Sequence, residues 1–461
     1  MTLSAHDENK LTLTNVLRLG EEQAEKLLSN TILLTFDQND QIVMRLAHHL
    51  QVILSRIFSN ITTQDTKDAS AEIVLGNATE RSQALHVFVC FGDGSDVILS
   101  ENRSKDTSSN VDLHEAFQIL TACYASAFVM RRLIGPGNYL LPFPTEVRID
   151  FGALFRGCDF VRNPIDIGKT YLAGAGAIGN AFLYTLQTFD VEGTLFVCDP
   201  DSVSGGNLNR CVWVDSSHVG MNKAKTLVLL AQDHFPKLKL KAHEGNLLTL
   251  PEKAAGGKWL ERLVVAVDSR RARRSLNSEI PREVYDASTT DIREVFLHFS
   301  RRPNNGLACL ECAYHLDVVE KAHELHVARV LGLNISEIEQ LFISQDAAIR
   351  ISSRYPNYRP AELEGQSYDT LFKELCGKGS IISKNESQVL APFAFVSVFA
   401  GALLAIEFVH RISDGFHQFN SFRASPWSSP VLRLQQQVMT NSKCSFCNDA
   451  TKSVFAERLW Q

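Results

Sequence analysis

The sequence lacks an excess of positive charge, because 46 lysines and arginines face 52 aspartates and glutamates, for a formal net charge of -6. A nucleic-acid-binding protein or one that binds anionic membranes by charge usually has the opposite balance, so neither partner is expected. No internal repeat or low-complexity tract is evident. Residues 1–10 are polar and acidic and have no apolar segment typical of a secretion signal. We therefore expect a cytoplasmic globular protein.

Long apolar runs are also scarce, and the longest spans residues 389–406. Its length raises the question of a membrane span. However, Pro392, Ser397 and Gly401 interrupt the run, Glu407 ends it, and it lies between two cysteine pairs that we expect to meet in space. The sequence therefore favours a buried core helix and no membrane partner.

The length of 461 residues allows two or three domains. Residues 1–150 are predicted to form a smaller α/β domain without visible chemistry, with strands 32–36, 72–75 and 86–90 and helices 42–58 and 113–133. Residues 151–461 are predicted to form a second domain. Its alternating strands and helices predict a doubly wound, Rossmann-like parallel sheet, with strands at 169–173, 193–198, 238–243, 263–267, 284–287 and 292–299 and helices at 178–187, 223–234 and 270–278. The polar residues from 352 to about 390 are predicted to form a mobile crossover loop.

A glycine loop follows the first strand of this second domain. Gly174 allows a tight turn, Gly176 lets the backbone approach a phosphate, and Gly179 permits close packing of the next helix. The amino end of that helix offers free amide donors and a favourable dipole. Alone, this loop would favour a dinucleotide oxidoreductase.

The residues after the loop favour a nucleoside triphosphate instead. Asp199 and Asp201 close the second strand, where an acid can hold ribose hydroxyls. Arg210 and Lys223 follow on the next loop and helix start, as a triphosphate would require. Asp268 ends a later strand, where a carboxylate suits Mg²⁺ that bridges phosphates. Arg270, Arg271 and Arg274 could bind an acidic partner or a phosphate, but such a charge run is more typical of a solvated helix face.

Two Cys-x-x-Cys pairs, Cys309/Cys312 and Cys444/Cys447, have the spacing of a tetrahedral Zn²⁺ thiolate site. More than 130 residues separate the pairs, so the metal would staple the end of the chain to the domain. Four thiolates leave no open position for a substrate, which indicates a structural site.

These motifs together resemble the adenylating domain shared by ubiquitin-activating (E1-like) enzymes and the ThiF-MoeB-type enzymes of thiamine and molybdopterin biosynthesis. The segment that begins at Asp268 and ends at Asn277 also fits that family's Asp-x-x-x-Ala-Arg-x-x-x-Asn pattern. The family's usual glutamine after the arginine is replaced here by Cys211. The resemblance implies that the nucleotide and its phosphates are held by Gly174, Gly176, Gly179, Asp199, Asp201, Asn207, Arg210 and Lys223, and Mg²⁺ by Asp268.

The resemblance implies ATP- and Mg²⁺-dependent adenylation of the C-terminal carboxylate of a ubiquitin-like, β-grasp protein. Arg210, Lys223 and Asp268 would be catalytic, and Cys376 would capture the product as a thioester, with Cys158 and Cys211 as weaker candidates. A homodimer is implied, and a downstream conjugating (E2-like) protein is a further partner. Residues 1–150 would be either an inactive adenylating-like half or a module that recognises the protein substrate. An arginine supplied by the partner subunit would be Arg148 or Arg156.

Three alternatives stay open. The first is an adenylyltransferase that acts on a sulfur-carrier protein or a small peptide without an enzyme thioester. The second is a non-enzymatic scaffold with an inactive nucleotide fold. The third is an NAD oxidoreductase, which would have no use for Lys223.

Overall fold

The computed structural model describes residues 4–105, 108, 111–254, 258–289, 292–377, 392–416, 418–430 and 434–461. Its strands form two sheets. The strands, in chain order, are β1 Thr31–Thr35, β2 Asn60–Thr62, β3 Ala71–Leu75, β4 Leu85–Phe91, β5 Asp96–Ser100, β6 Glu146–Asp150, β7 Ile165–Ala173, β8 Val191–Cys198, β9 Leu238–His243, β10 Arg262–Val265, β11 Glu283–Thr289, β12 Val295–Arg301, β13 Ser421–Ala424 and β14 Leu434–Gln436.

Seventeen α-helices connect and cover these strands in the described part of the chain. They are α1 Ala5–Asn15, α2 Glu21–Leu28, α3 Gln41–Leu54, α4 Glu115–Ile134, α5 Phe151–Phe155, α6 Ala177–Leu186, α7 Lys223–Ala231, α8 Pro251–Ala254, α9 Arg270–Ser278, α10 Leu310–Ala313, α11 Val318–Leu331, α12 Ile335–Ile338, α13 Gln345–Arg354, α14 Pro360–Leu363, α15 Tyr368–Gly377, α16 Ala394–Asp414 and α17 Ala450–Trp460.

The first sheet has the strand order β2-β1-β3-β4-β5-β6. The pairings among β2, β1, β3 and β4 are parallel, whereas β5 and β6 add antiparallel strands. The strands and helices predicted in residues 1–150 are all present, with boundaries that differ by a few residues.

The second sheet has the order β14-β13-β12-β11-β10-β7-β8-β9. The five strands from β9 to β11 are parallel, and β12, β13 and β14 are antiparallel to their neighbours. The predicted α/β fold is thus present, but the sheet is mixed rather than wholly parallel. Within the parallel part the strand order reverses between β7 and β10, the point at which such sheets bind ligands.

The two sheets share helices that are buried between them. Helix α16 is the one described helix long and apolar enough to cross a membrane, and 94% of its most apolar window is buried in the protein. It packs on α6 and on α4, where Tyr124 and Phe399 meet edge to face at 5.0 Å. His49 in α3 also shares a 2.7 Å hydrogen bond with the hydroxyl of Tyr184 in α6. The predicted core helix is therefore present, and it ties the two sheets together.

The crossing of α16 over α6 depends on Gly401. A Cβ there would lie 2.5 Å from the Cβ of Ala181 and 2.7 Å from the backbone atoms Ile178 O and Phe182 N. Contacts this short with backbone atoms require the helices to move apart.

We therefore expect Gly401→Val to lower the free energy of unfolding by at least about 2 kcal/mol, because a core crossing without free space becomes overpacked. Gly137→Val is the matched control, since no described atom lies within 4 Å of its added Cβ. Urea denaturation of both variants measures the difference. Equal stabilities would show that the crossing tolerates a larger separation.

Candidate nucleotide site

The glycine loop lies where the strand order reverses. Gly174 has a φ of +100°, and a Cβ there would lie 2.7 Å from the carbonyl oxygen of Ala266, which follows β10. A Cβ on Gly179 would lie 2.1 Å from Gly174 O. The first and third glycines therefore allow backbones to touch, as the sequence predicted.

Gly176 faces open space. No described atom lies within 4 Å of the position of its added Cβ, and it precedes α6 without a side-chain cap. The first amide groups of a helix lack intrahelical acceptors and attract anions. This end of α6 can therefore receive a phosphate.

Asp199 supports this loop from the end of β8. It is 6% exposed, its Oδ2 accepts a 2.7 Å hydrogen bond from Ala175 N, and its Oδ1 accepts one of 2.9 Å from Asp201 N. Burial raises the pKa of Asp199 to about 6, while the positive charge of Lys223 and the two amide donors oppose the shift. Asp199 thus fixes the loop beside the sugar position assigned to it.

Lys223 and Asp201 form the charged centre of the site. The Nζ–Oδ2 distance is 3.0 Å, and both side chains are 15% exposed. Burial alone would lower the pKa of Lys223, but Asp201, Asp199 and Asp268 together raise it above its usual value, so the ammonium group keeps its charge. Asn222 places this lysine by capping α7, because its Oδ1 accepts a 3.0 Å hydrogen bond from Lys225 N.

Asp268 lies on the same edge of the sheet. It follows β10, is exposed, and acts electrostatically on both Lys223 and Arg273. The next residue, Ser269, caps α9 by accepting a 3.2 Å hydrogen bond from Ala272 N. Strand β10 and the capped helix therefore fix the backbone on both sides of Asp268.

Asn207 and Arg210 lie on the connection between β8 and α7. The Oδ1 of Asn207 accepts a 2.9 Å hydrogen bond from Ser204 N and thereby closes a turn of its own loop. The Nη1 of Arg210 donates to Gly206 O and Asn209 Oδ1, both at 2.7 Å. Their assignment to phosphates stays a prediction, as do the roles of the other site residues.

The expectation that the arginine cluster on α9 is a solvated helix face was wrong for Arg271 and Arg274, whereas Arg270 is exposed. Arg271 is 6% exposed and its Nη2 lies 2.6 Å from Asp369 Oδ1. Arg274 lies 2.5 Å from Glu324, and Arg270 lies 3.4 Å from Glu320. The acids come from α11 and α15 of the same chain, so these cations are already neutralised.

Two adjacent residues of α15, Asp369 and Thr370, hold this helix against the site. Asp369 accepts from Arg271 and from the hydroxyl of Ser269, the neighbour of Asp268. Thr370 donates a 3.4 Å hydrogen bond to Asp201 Oδ2. Residues 345–377 thus contain three helices over a hydrophobic core, where the sequence predicted a mobile loop from residue 352.

Cys376 lies in the last turn of α15, and its side chain is outside the part of the chain that the structure describes. Residues 378–391 of the predicted crossover loop are also outside it. Cys158 is half-buried and Cys211 is buried, and burial raises the pKa of both thiols, which disfavours either as a nucleophile.

Neither arginine proposed to act in the partner subunit contacts the site in the chain described. Arg148 pairs with Glu146 at 2.5 Å on β6. The guanidinium of Arg156 lies 5.0 Å from the ring centre of Phe419. The supply of an arginine between subunits stays a prediction.

The four paired cysteines meet in one cluster. Their Sγ–Sγ distances are 3.7 Å for Cys309–Cys312, 3.8 Å for Cys309–Cys444, 3.7 Å for Cys312–Cys447 and 3.4 Å for Cys309–Cys447. A tetrahedral zinc ion with Zn–S bonds of about 2.3 Å would separate its sulfurs by roughly 3.8 Å. The donor set therefore fits zinc, and it joins the turn before α10 to the turn before α17.

Backbone amides and one buried arginine surround the cluster. Backbone amides of Asn441 and Cys447 lie 3.4 Å from the sulfurs of Cys312 and Cys444. Arg302 is buried nearby, with its guanidinium 4.3 Å from the ring centre of Phe446. Burial lowers the pKa of Arg302, and the negative charge of the cysteines opposes that shift.

The fold is that of an α/β protein of the Rossmann type, and its sheet edge has a helix end that is open to an anion. The model described as "ThiF family" matches residues 163–444, more than half of the chain, and this chain belongs to that family, as the sequence predicted. The model described as "E1 N-terminal domain" matches residues 2–154. The division at residue 150 stays a prediction.

Individual proteins resemble this chain only at low sequence identity. The "Uncharacterized protein y4jF" of Sinorhizobium fredii (strain NBRC 101917 / NGR234) is 29% identical over 270 residues, which are 55% of this chain and 50% of that protein. The chain thus spans about half the length of this curated relative.

Similar solved structures include those of MccB. The crystal structure of E. coli MccB with MccA-N7isoASN is 15% identical over 64% of this chain and 70% of that chain, with a TM-score of 0.38. The microcin C7 biosynthetic enzyme MccB in complex with N-formylated MccA is 12% identical over 78% and 98%, also with a TM-score of 0.38. Similarity at this level carries no functional argument.

The cysteine geometry predicts one tightly bound zinc per chain. We expect Cys309→Ser to lose the metal and to lower the melting temperature by several degrees, because the link between α10 and α17 is lost. Elemental analysis and thermal melting measure both effects. The matched control is Cys158→Ser, whose thiol lies outside the cluster, and equal zinc content in the two variants would contradict the assignment.

Proposed function

We propose that the protein is an ATP- and Mg²⁺-dependent enzyme that adenylates the C-terminal carboxylate of a ubiquitin-like protein. The observation that carries the proposal is the half-buried Lys223–Asp201 pair, which lies on the same edge of the sheet as the glycine loop and Asp268. A nicotinamide dinucleotide needs no such lysine, because its pyrophosphate is held by the helix end. Membership of the ThiF family supports the same reaction class.

In the proposed reaction the substrate carboxylate attacks the α-phosphorus of ATP. A P–O bond forms to the carboxylate, the bond to the bridging oxygen breaks, and pyrophosphate leaves with that oxygen. The protein positions the reactants and neutralises charge that develops on the phosphates. Lys223 and Arg210 provide positive charge, the start of α6 provides amide donors, and Asp199 orients the ribose.

The carboxylates present fit a Mg²⁺ ion. Asp268 is exposed at the edge of the sheet, and the buried Oδ1 of Asp201 has no hydrogen-bond partner among the described residues. Hard oxygen donors of this kind are the ligands that Mg²⁺ prefers. Asp268 would hold the ion, which supplies charge neutralisation on the phosphates when bound.

A ubiquitin-like substrate is supported by the match of residues 2–154 to the E1 N-terminal domain. The alternative is an adenylyltransferase for a sulfur-carrier protein or a peptide. We also propose that the protein forms a homodimer, acts with an E2-like partner and is located in the cytoplasm.

Capture of the product on Cys376 is the second step of the proposal. The thiolate of Cys376 attacks the acyl carbon, a thioester bond forms, and AMP leaves with its phosphate oxygen. Its support is that α15, which carries Cys376, is tied to Asp201 through Thr370 and to α9 through Asp369. The nucleophile is therefore on an element that contacts the nucleotide site.

The first test is exchange of labelled pyrophosphate into ATP, with a panel of β-grasp proteins that end in glycine. We expect exchange with the wild-type enzyme and a loss of at least 100-fold in both variants, because Lys223→Ala removes positive charge and Asp268→Ala removes the carboxylate that would hold Mg²⁺. Lys225→Ala is the control, since that lysine pairs with Glu244 on the exposed side of α7. Full exchange in Asp268→Ala and Lys223→Ala would contradict the site.

The second test separates the thioester from the alternative. Cys376→Ala should keep pyrophosphate exchange but lose an ATP-dependent adduct with the β-grasp protein that thiol reductants cleave. Gel electrophoresis with and without reductant detects the adduct. An unchanged adduct in Cys376→Ala would place the thioester on another cysteine and contradict the assignment of Cys376. No adduct in the wild type despite exchange would favour the alternative without a thioester.

A further inference from the structure

The segment that carries Arg210 has little regular structure of its own. It contains the short 3-10 turns Gly205–Asn207 and Ser216–His218 and otherwise runs through turns to the start of α7 at Lys223. Its backbone carbonyls need donors from elsewhere, because a buried carbonyl without a donor is costly. Its conformation therefore depends on what is packed against it.

Arg56, at the end of α3, supplies three of those donors. Its Nη1 donates to Leu208 O at 3.1 Å and Val214 O at 2.8 Å, and its Nη2 donates to Val212 O at 2.8 Å. The acceptors lie on both sides of Arg210 in the chain. A planar guanidinium can hold several carbonyls in fixed directions, which a lysine ammonium cannot do.

A pair of buried amides supplies the second support. Asn9 in α1 is 1% exposed and Asn209 is fully buried, and Asn209 Nδ2 donates to Asn9 Oδ1 at 3.3 Å. Asn9 Nδ2 in turn donates to Arg56 O at 2.7 Å. On its other side, the Oδ1 of Asn209 accepts from Arg210 Nη1 at 2.7 Å. The amides therefore form a continuous chain of hydrogen bonds from α3, through α1, to the guanidinium of Arg210.

Glu8 shows how closely α1 approaches this segment. A Cβ on Gly206 would lie 2.6 Å from Glu8 Oε1, so the carboxylate of Glu8 lies against this segment. Burial raises the pKa of Glu8, and the nearby charge of Arg210 opposes the shift. Glu8 in α1 therefore lies near Arg210, the arginine assigned to phosphate.

We infer that Asn9 and Arg56 are positioning residues for Arg210, and that residues 1–150 complete the phosphate site of their own chain. This gives the N-terminal unit a role in nucleotide binding apart from any role in recognising the protein substrate. The inference rests on the proposed function, because it takes Arg210 as a phosphate ligand.

The size of the effect follows from the hydrogen bonds that are lost. Removing the Asn9 amide leaves Asn209 without its partner and lets Arg210 sample other rotamers. We expect Asn9→Ala to weaken the binding of a non-hydrolysable ATP analogue with Mg²⁺ about 5- to 10-fold, and Arg56→Lys to weaken it by a similar factor.

A double-mutant cycle tests whether Asn9 acts through Arg210. The dissociation constant of the analogue is measured by calorimetry for the wild type, Asn9→Ala, Arg210→Ala and the double variant of the full chain. We expect Asn9→Ala to have no further effect once Arg210 is alanine, whereas a general structural effect would persist in that background. Thr14→Ala is the control, because its hydroxyl bonds only carbonyls of its own helix.

Each outcome is decisive. An equal loss from Asn9→Ala in both backgrounds would overturn the inference and leave the proposed function intact. Unchanged affinity in Arg210→Ala would overturn the phosphate role of Arg210, and the inference with it. If Asn9→Ala melts well below the wild type, the same cycle is run with Arg56→Lys, which keeps the charge and is read by the same criteria.

Discussion

The half-buried ion pair between Lys223 and Asp201 is the interaction on which the rest of the site depends. It joins the start of α7 to the end of β8, and through Thr370 it reaches α15. Two charges at this depth persist only when each is compensated, since the desolvation of either one alone would be costly. The surrounding acids keep the ammonium group of Lys223 charged, and a nicotinamide dinucleotide needs no such lysine. This lysine is what separates the site from one built for a dinucleotide.

Local sequence patterns were sufficient for the elements around this pair. The bounds of β9 and α9 coincide with the prediction, because both are set by signals within the segment, such as the Ser269 cap. The roles of Gly174 and Gly179 were predictable, because both positions require two backbone segments to lie in close contact. The family was predictable because the spacing of its motifs is set by the sheet edge, and the family match to residues 163–444 agrees.

Features that depend on distant partners were not predictable. The arginines of α9 were predicted to form a solvated face, because the acids that pair with them lie about 50 to 100 positions away in the chain. The pairing of β12 with β13 joins residues more than 120 positions apart, such as Val295 and Ala424, and periodicity carries no information on it. The hydrogen bonds from Asn9 and Arg56 to the Arg210 segment have no sequence signature, since an asparagine in a polar helix is commonplace.

The central claim is that this edge of the sheet binds a nucleoside triphosphate rather than a dinucleotide. Calorimetric titration of the wild-type protein with ATP and with NAD, each with Mg²⁺, tests it most directly. The account predicts saturable binding of one ATP per chain and no competition from NAD. Binding of NAD that displaces ATP, or no binding of ATP, would contradict it.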